Sequence, residues 1–279
     1  MYQETELSVV YLNGVYWGEY NLRERINAFS ICQWEGWDPA VKDSIDLQKA
    51  NDTVMQGTKE SWTSVKDWYT KNGLDTDEKL AYIEQKVDVW NYLNWCAVQI
   101  YTGNTDLLNC KKYRCELTDG KWRWVLFDLD WAFTTDTNSI NRWWHVGGVE
   151  KTDKSSAPLD NSLFLALMDN NKCKDYFMTL LADMLANEWS TDSIVSRIQS
   201  RYFELEPEID QHQSRWGMSR SEFDSAVKSF VSYAQKRPGR LLYFLSNKFS
   251  KNEFEHYFGE LARSVDLIDD KGKSFSYYK

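Results

Sequence analysis

Two dipeptides, Asn13-Gly14 and Asp119-Gly120, constrain the fold more than any other feature, because runs rich in strand-forming residues flank each of them. Asn-Gly and Asp-Gly accept the positive φ angles of a tight turn between antiparallel strands. The first pair predicts a β-hairpin over residues 7–22. The second predicts a hairpin with strands at 111–117 and 121–130.

Helical periodicity dominates the rest of the chain. From Asp77 to Tyr101 apolar residues recur three and four positions apart, and Gly103 follows as a C-cap. Residues 23–75 read as an irregular segment that contains one short helix. The helices predicted elsewhere are 60–71, 160–187, 191–206 and 221–235. The last of these begins with a capping box from Ser221 to Asp224, and Pro238-Gly239 separates it from one further predicted helix.

The order of these elements predicts an α+β protein. With 279 residues, 42% of them apolar, the chain can bury a substantial core, and its length allows one large domain or two. We expect a single domain over 1–279. Within it, residues 1–75 form part of a small hairpin-rich lobe, 76–135 a helix, a loop and a hairpin, and 136–279 a larger helical lobe.

Composition excludes several classes of protein. No run of about 18 apolar residues predicts a membrane span, and the first residues lack the basic and apolar segments of a signal peptide. Either the protein is cytosolic or its front end lies outside this sequence. The net charge of −9 argues against binding a nucleic acid polymer and suits a basic partner or a metal–nucleotide complex, although a merely solvated surface is the simpler explanation.

Cysteine and histidine patterns give no sign of a zinc site. The five cysteines are odd in number and form no CxxC pair, so free thiols are the simpler interpretation, with a Cys110–Cys115 disulfide as the alternative. The three histidines are widely separated and are expected to be surface or internally satisfied residues. They are His145, His212 and His256.

Oxygen-donor side chains follow two of the predicted elements. The sequence lacks the phosphate loop GxxxxGK[ST] and the motifs GxGxxG, HExxH and GxSxG, so the common ATPases, dehydrogenases, metalloproteases and hydrolases are disfavoured. Carboxylates and amides suit a hard cation such as Mg²⁺, which takes one or two carboxylates together with phosphate oxygens and water. The candidates are Asn104, Asp106, Asn109, Asp128 and Asp130.

Simpler roles compete with this interpretation. Asx residues often cap turns and helices, so the run GNTD at 103–106 taken alone is better explained as a cap. Alternation along the predicted strand puts Asp128 and Asp130 on one side, where two like charges among apolar neighbours call for a cation or a basic partner.

Three segments together resemble the CotH family of spore-coat and extracellular atypical protein kinases. They are YLNGVYWGEYNLRERI, YTGNTDLLNCKKYR and DGKWRWVLFDLDWAF, in the order in which the family has similar segments. Weaker similarity in SLFLALMDN, EPEIDQHQSRW and AQKRP extends the resemblance over residues 7–248. It implies a divergent kinase-like fold with ATP and Mg²⁺ or Mn²⁺ as cofactors and a Ser or Thr hydroxyl of a protein as acceptor.

The resemblance also implies roles for individual residues. Asp106 matches the aspartate of the family's catalytic loop, with Asn104 beside it. Asp128 matches the first acidic residue of a WDxD-like segment and is expected to bind metal, with Asn109 and Asp130 assisting; Phe127 replaces the usual tryptophan. Nucleotide contacts are expected from Glu24, Arg23 and Lys49, with surface salt bridges of Arg23 and Arg25 and an ordinary surface lysine at 49 as alternatives.

The family usually has further strands before the Asn-Gly hairpin, so the small lobe is expected to be shortened at its N-terminus. Family resemblance implies an extracellular, cell-surface or spore-associated protein, and the missing export signal leaves a cytoplasmic one open. Two alternatives to a kinase remain at this point. One is a non-catalytic binding or scaffold protein, and the other is a carbohydrate-binding protein that uses Trp143 and Trp144, beside Arg142 and His145, as sugar-stacking aromatics.

Overall fold

The computed structural model describes residues 1–134, 138–150, 157–217 and 219–278. They form two compact units. The first contains Met1–Gln3, Arg25–Ala132 and residues 138–181, and the second contains Glu4–Glu24 and residues 133–134, 182–217 and 219–278. The chain mixes helices with small antiparallel sheets, as the α+β prediction requires.

A four-stranded antiparallel sheet forms part of the first unit. Its strands are β3 (Ile45–Lys49), β4 (Thr53–Gln56), β5 (Lys111–Cys115) and β6 (Arg123–Val125), in the order β4-β3-β5-β6. The predicted second hairpin is therefore confirmed as the pair β5 and β6, but both strands are shorter than expected. Gly120 has a φ of 69°, as its place in the connection requires.

One face of this sheet is covered by α1 (Ala28–Glu35). The helix begins at Asn27, whose side chain accepts hydrogen bonds from two backbone N–H groups in a capping box with Ser30, and it ends at Gly36 in the left-handed conformation. Apolar residues of the helix and the strands form a core made of Ile26, Ala28, Ile31, Cys32, Ile45, Leu47, Tyr113, Cys115 and Val125.

The prediction that residues 23–75 are irregular apart from one helix was wrong, because α1, β3 and β4 lie there. The strand pattern of β3 is concealed by two buried polar residues, Asp46 and Gln48. Asp46 accepts a hydrogen bond from Arg114 Nε at 2.8 Å, and Gln48 donates to the carbonyl of Thr58 at 3.1 Å. These hydrogen bonds offset part of the cost of burying the two polar side chains, although Gln48 Oε1 has no partner within the described part of the chain.

Six more helices begin in the first unit. The helix predicted at 60–71 is confirmed, whereas those predicted at 77–103 and 160–187 are each two helices. The bounds are α2 (Glu60–Asn72), α3 (Asp77–Glu84), α4 (Val89–Thr102), α5 (Ser139–Trp143), α6 (Ser162–Met168) and α7 (Asn171–Ala186), which continues into the second unit.

Both breaks have a local cause. Between α3 and α4 the backbone at Lys86 and Asp88 pairs with Trp122 through two hydrogen bonds of 2.9 Å, and the Asp88 side chain caps α4. Between α6 and α7 the buried Asn170 side chain accepts from the N–H groups of Lys172 and Cys173. Side-chain caps at these points start a new helix, which apolar periodicity alone does not show.

The second unit begins with the first predicted hairpin, β1 (Thr5–Leu12) and β2 (Val15–Arg23). Asn13 and Gly14 both have positive φ angles, 52° and 78°, which confirms the predicted turn. The hairpin packs on α8 (Thr191–Trp216). The remaining elements are α9 (Arg220–Lys248), α10 (Lys251–Phe258), α11 (Leu261–Ser264) and the two-residue strands β7 (Leu267–Ile268) and β8 (Ser274–Phe275).

Two prolines do not end helices where the sequence suggested. The helix predicted at 191–206 runs through Pro207, which is exposed, so water can satisfy the carbonyl that loses its N–H donor. Pro238-Gly239 lies inside α9 instead of separating two helices. Gly239 is needed there because an added Cβ would lie 2.4 Å from the carbonyl oxygen of Asp266. The capping box of α9 is formed by Ser219 and Glu222, not by the predicted Ser221 and Asp224.

Cysteine and histidine predictions can be compared with their surroundings. All five cysteines are free, so the alternative of a Cys110–Cys115 disulfide was wrong. His212 is satisfied internally, because its Nδ1 accepts a hydrogen bond from the Glu19 N–H at 3.0 Å.

Candidate active site

A tight loop follows α4 and carries the first candidate residues. Gly103 ends the helix in the left-handed conformation, with a φ of 61°. Asn104 is 3% exposed and uses both ends of its amide. Its Oδ1 accepts from the Asp106 N–H at 3.0 Å, and its Nδ2 donates to Gln99 Oε1 at 2.9 Å. Asn104 therefore fixes the loop to α4.

Asp106 occupies the N-cap position of a short 3₁₀ helix, Leu107–Asn109, but its side chain makes no capping hydrogen bond. One of its oxygens, Oδ2, accepts from Asn109 Nδ2 at 3.0 Å. The interpretation of GNTD as a local cap therefore holds for Asn104, whose carbonyl closes an Asx turn, and not for the carboxylate of Asp106.

The second acidic segment begins where β6 ends. Leu126 is held by backbone hydrogen bonds to Met1 and Gln3, and Phe127 packs against the core beneath α1. Asp128 then turns the chain, with a φ of 58°, a conformation that Asp tolerates better than most residues. Its Oδ2 accepts from Asn109 Nδ2 at 2.8 Å.

The expectation that Asp128 and Asp130 share one side of a strand was wrong. The strand ends at Val125, and the left-handed conformation of Asp128 redirects the backbone before Asp130 is reached. Asp130 is exposed, and so is the following Trp131, at 58%. The premise of two adjacent buried charges therefore does not hold, and Asp128 alone joins the hydrogen-bonded group.

Asp106, Asn109 and Asp128 form the central group of the site. The Asn109 NH₂ group lies between two carboxylate oxygens and offsets the repulsion that two like charges would otherwise cause. Two carboxylates and an amide are hard oxygen donors, so these residues fit a divalent cation such as Mg²⁺ that is completed by phosphate oxygens and water. Over the described ranges, no group of three or more His, Cys, Asp or Glu residues is placed to hold a metal.

Lys111 lies close enough to Asp128 for their charges to interact, and Lys49 lies next to Lys111. They are direct partners in the register of β3 and β5, so their side chains leave the same face of the sheet. The Lys111 ammonium lies 4.8 Å from the centre of the Phe127 ring. Burial lowers the pKa of Lys111 below its usual value, and the charge of Lys49 adds to this effect. Asp128 opposes the shift, and Arg25 contributes to it.

Lys111 was not among the residues selected from the sequence. The pair Lys111-Lys112 at the start of a strand was the available signal, because consecutive strand residues face opposite sides. Lys112 faces the other side, where its ammonium donates to Asp52 Oδ1 at 2.6 Å and lies 3.8 Å from the Trp62 ring centre. Burial lowers the pKa of Lys112, and Asp52 opposes this.

Arg23 and Glu24 belong to the second unit. Arg23 is the exposed last residue of β2. The Glu24 carboxylate accepts a hydrogen bond from the Glu4 N–H at 3.1 Å, and the Glu24 N–H donates to the Glu4 carbonyl, so Glu24 closes the open end of the hairpin. Within the parts of the chain that can be described, neither Arg23 nor Arg25 forms the surface salt bridge considered as an alternative.

The two tryptophans of the aromatic loop, Trp143 and Trp144, differ in burial. Trp143 is 1% exposed and packs edge-on against Trp95 and Phe164. Trp144 is half-buried, with Phe164 and Phe177 against its ring. The alternative in which Trp143 stacks on a sugar was therefore wrong, and core packing, the simpler interpretation of this tryptophan, is confirmed.

The site thus belongs to a mixed α and β protein in which a loop carboxylate and a carboxylate at a strand end share one amide donor. Family comparison agrees with the resemblance of the motifs. The family described as CotH kinase protein matches residues 1–241, and the chain belongs to that family. Membership indicates a kinase-like function.

No curated protein matches this chain closely enough to count as a relative. Among the residues that the structure describes, no helix combines the length and the apolar character required to cross a bilayer.

Proposed function

We propose that this protein transfers the γ-phosphate of ATP to a Ser or Thr hydroxyl of a protein, with Mg²⁺ or Mn²⁺ as the metal. The observation that carries the proposal is the pair of hydrogen bonds from Asn109 to Asp106 and Asp128. It brings a loop carboxylate beside a carboxylate at a strand end, the two acidic groups that phosphoryl transfer to a hydroxyl requires.

In this proposal Asp106 orients the acceptor hydroxyl and accepts its proton. The Asp106 carboxylate does not cap the 3₁₀ helix that follows it, and a hydrogen bond from Asn109 fixes its position. Asn104 acts as a positioning residue, since it holds the Asp106 N–H and is itself held by Gln99. Orientation of this kind supplies much of the rate of a reaction that needs little covalent chemistry from the protein.

Asp128 and Asn109 are the residues proposed to hold the divalent metal, with Asp130 near enough in sequence to assist through water. When bound, the metal neutralises phosphate charge. The half-buried carboxylate of Asp128 is fixed by its hydrogen bond to Asn109 and by the turn in its own backbone. A group fixed before binding loses little conformational freedom when it binds a ligand.

The acceptor is proposed to be a spore-coat, secreted or surface protein, in keeping with the spore-coat association of the family. A divergent kinase-like fold, with Lys49, Glu24 and Arg23 in contact with the nucleotide, belongs to the same proposal.

Transfer of labelled γ-phosphate tests the function. The protein is incubated with labelled ATP and Mg²⁺ or Mn²⁺, both alone and with a generic Ser/Thr-rich acceptor, and compared with Asp106→Asn and Asp128→Asn. We expect label from the wild type and from neither folded variant. An unlabelled wild type, with a matched acceptor present, would instead favour a non-catalytic binding or scaffold protein.

A further inference from the structure

Three cations lie close to one another, and one of them, Lys111, also lies close enough to Asp128 for their charges to interact. They are Arg25, Lys49 and Lys111. In the first unit as described, no carboxylate oxygen lies within 4 Å of their charged nitrogens. Arg25 and Lys49 are exposed, whereas Lys111 is half-buried, and most other buried or half-buried cations of the same unit are paired. Lys66 and Lys112 are examples, with ion pairs to Asp160 and Asp52. The positive charge beside Asp128 is therefore not used for internal ion pairing.

The fold explains why these cations meet. Lys49 ends β3 and Lys111 begins β5, and they are register partners on the face that α1 covers. Arg25 lies three residues before α1 and close enough to Lys111 for their charges to interact. Val125 and Phe127 lie at the edge of the apolar core. The two lysines lie on the same face of the sheet, beyond that edge.

Lys111 is the most constrained of the three. Its stem is half-buried, and its ammonium lies 4.8 Å from the Phe127 ring centre, a separation at which a cation–π contact is favourable. Phe127 immediately precedes Asp128, so the contact holds the ammonium beside the proposed metal ligand. A half-buried ammonium without a carboxylate partner is poorly compensated and is best satisfied by an anion.

We propose that Lys111, with Arg25 and Lys49, binds the phosphate chain of the nucleotide and that Lys111 is a principal phosphate contact of the site. The inference rests on the proposed function for the identity of the ligand, and the cluster itself requires only a polyphosphate anion. Lys111 neutralises phosphate oxygens while Asp128 stays free for the metal, so the cations and the carboxylate serve one ligand without competing.

Binding of tripolyphosphate and of ATP, each with Mg²⁺, tests the inference by isothermal titration calorimetry. The variants are Lys111→Met, which keeps the length of the side chain without its charge, and Lys111→Arg, which restores the charge. Lys86→Met is the matched control, because Lys86 is an exposed lysine of the same unit. We expect Lys111→Met to weaken both ligands by about tenfold or more, and the other two variants to bind nearly as the wild type.

Equal affinity of Lys111→Met and wild type for tripolyphosphate would overturn the inference, as would a wild type that binds neither ligand. Thermal unfolding of each variant shows whether a loss of binding follows from a loss of fold, and recovery in Lys111→Arg is the second check. A wild type that binds tripolyphosphate through Lys111 but transfers no label to any acceptor would support the inference and contradict the proposed kinase activity.

Discussion

The side-chain nitrogen of Asn109 lies 2.8 Å from Oδ2 of Asp128, although 19 positions separate the two residues in sequence. The same nitrogen lies 3.0 Å from Oδ2 of Asp106. One neutral amide therefore joins a loop carboxylate to one at a strand end. Substitutions of the donor Asn109 and of the acceptors Asp106 and Asp128 should therefore have different effects on ligand binding, turnover and stability.

Asn109→Asp should make stability depend on the metal. The change replaces the shared donor by a third carboxylate, so repulsion destabilises the folded protein without metal, while added Mg²⁺ gains a ligand. Melting temperature is measured with chelator and with Mg²⁺. We expect a lower value than wild type in chelator and a larger rise on adding Mg²⁺. Asn141→Asp, an exposed change in the same unit, should respond as the wild type does.

Asp106→Asn and Asp128→Asn should differ in the step that they affect. Loss of the Asp106 charge is expected to leave nucleotide binding nearly unchanged and to lower turnover about 10²- to 10⁴-fold, because it removes the proposed proton acceptor. Loss of the Asp128 charge is expected to weaken the Mg²⁺-dependent part of nucleotide binding. Calorimetric titration and single-turnover transfer measure the two effects. Equal loss of folded protein in both variants would point to structural roles.

Cys173 should make the protein less stable at alkaline pH. Burial raises the pKa of its thiol from about 9 to about 12. The unfolded chain therefore loses this proton first, and the stabilisation, complete below about pH 9, is lost as the pH rises toward 12. The free energy of unfolding should fall by up to about 1.4 kcal/mol per pH unit from this group.

Urea unfolding at several values between pH 8 and 11 measures this contribution. The slope for Cys173→Ala should be shallower than that for the wild type. Leu167→Ala also removes buried volume in the same unit and should keep the wild-type slope. Parallel slopes for Cys173→Ala and wild type would show that the thiol does not titrate as stated.

Gly57→Ala should destabilise the first unit strongly. The residue has a φ of 73°, and an added Cβ would lie 2.2 Å from Asp46 Oδ1 and 2.9 Å from the Ile45 carbonyl. Asp46 cannot move easily, because Arg114 and the Thr58 N–H hold it. The matched control is Gly120→Ala, where φ is 69° and no atom lies within 4 Å. Urea unfolding should give a cost of about 1 kcal/mol for the control and clearly more for Gly57→Ala.

Local signals predicted the turns and the short helix well. The two positive φ angles of the first turn fall on Asn13 and Gly14, as predicted. The observed bounds of α2 agree with the predicted ones within a residue. Long helices were predicted less well, because their breaks at Asp88 and Asn170 depend on side-chain caps and on pairing with Trp122. Pro238 misled the prediction, since α9 continues through Pro238 and Gly239.

The candidate site was predictable in part. The sequence order pointed to Asp106, Asn109 and Asp128, and the structure places these three within hydrogen-bond reach. The sequence alone could not show that the backbone at Asp128 adopts a left-handed conformation, which separates Asp130 from Asp106, Asn109 and Asp128. Nor could it single out Lys111, because the significance of that lysine depends on its register partner Lys49 and on the Phe127 ring. The assigned chemical roles of these residues stay predictions.

The double anchoring of Asn104 has a consequence for the timing of events at the site. Opening the loop would break the hydrogen bond between the buried side-chain amides of Asn104 and Gln99. Each group left unsatisfied would cost about 1–3 kcal/mol. The loop is thus ordered when the chain folds, and little entropy is lost there on encounter with a partner. Asp106 is preorganised, and a partner selects a conformation already in place instead of inducing it.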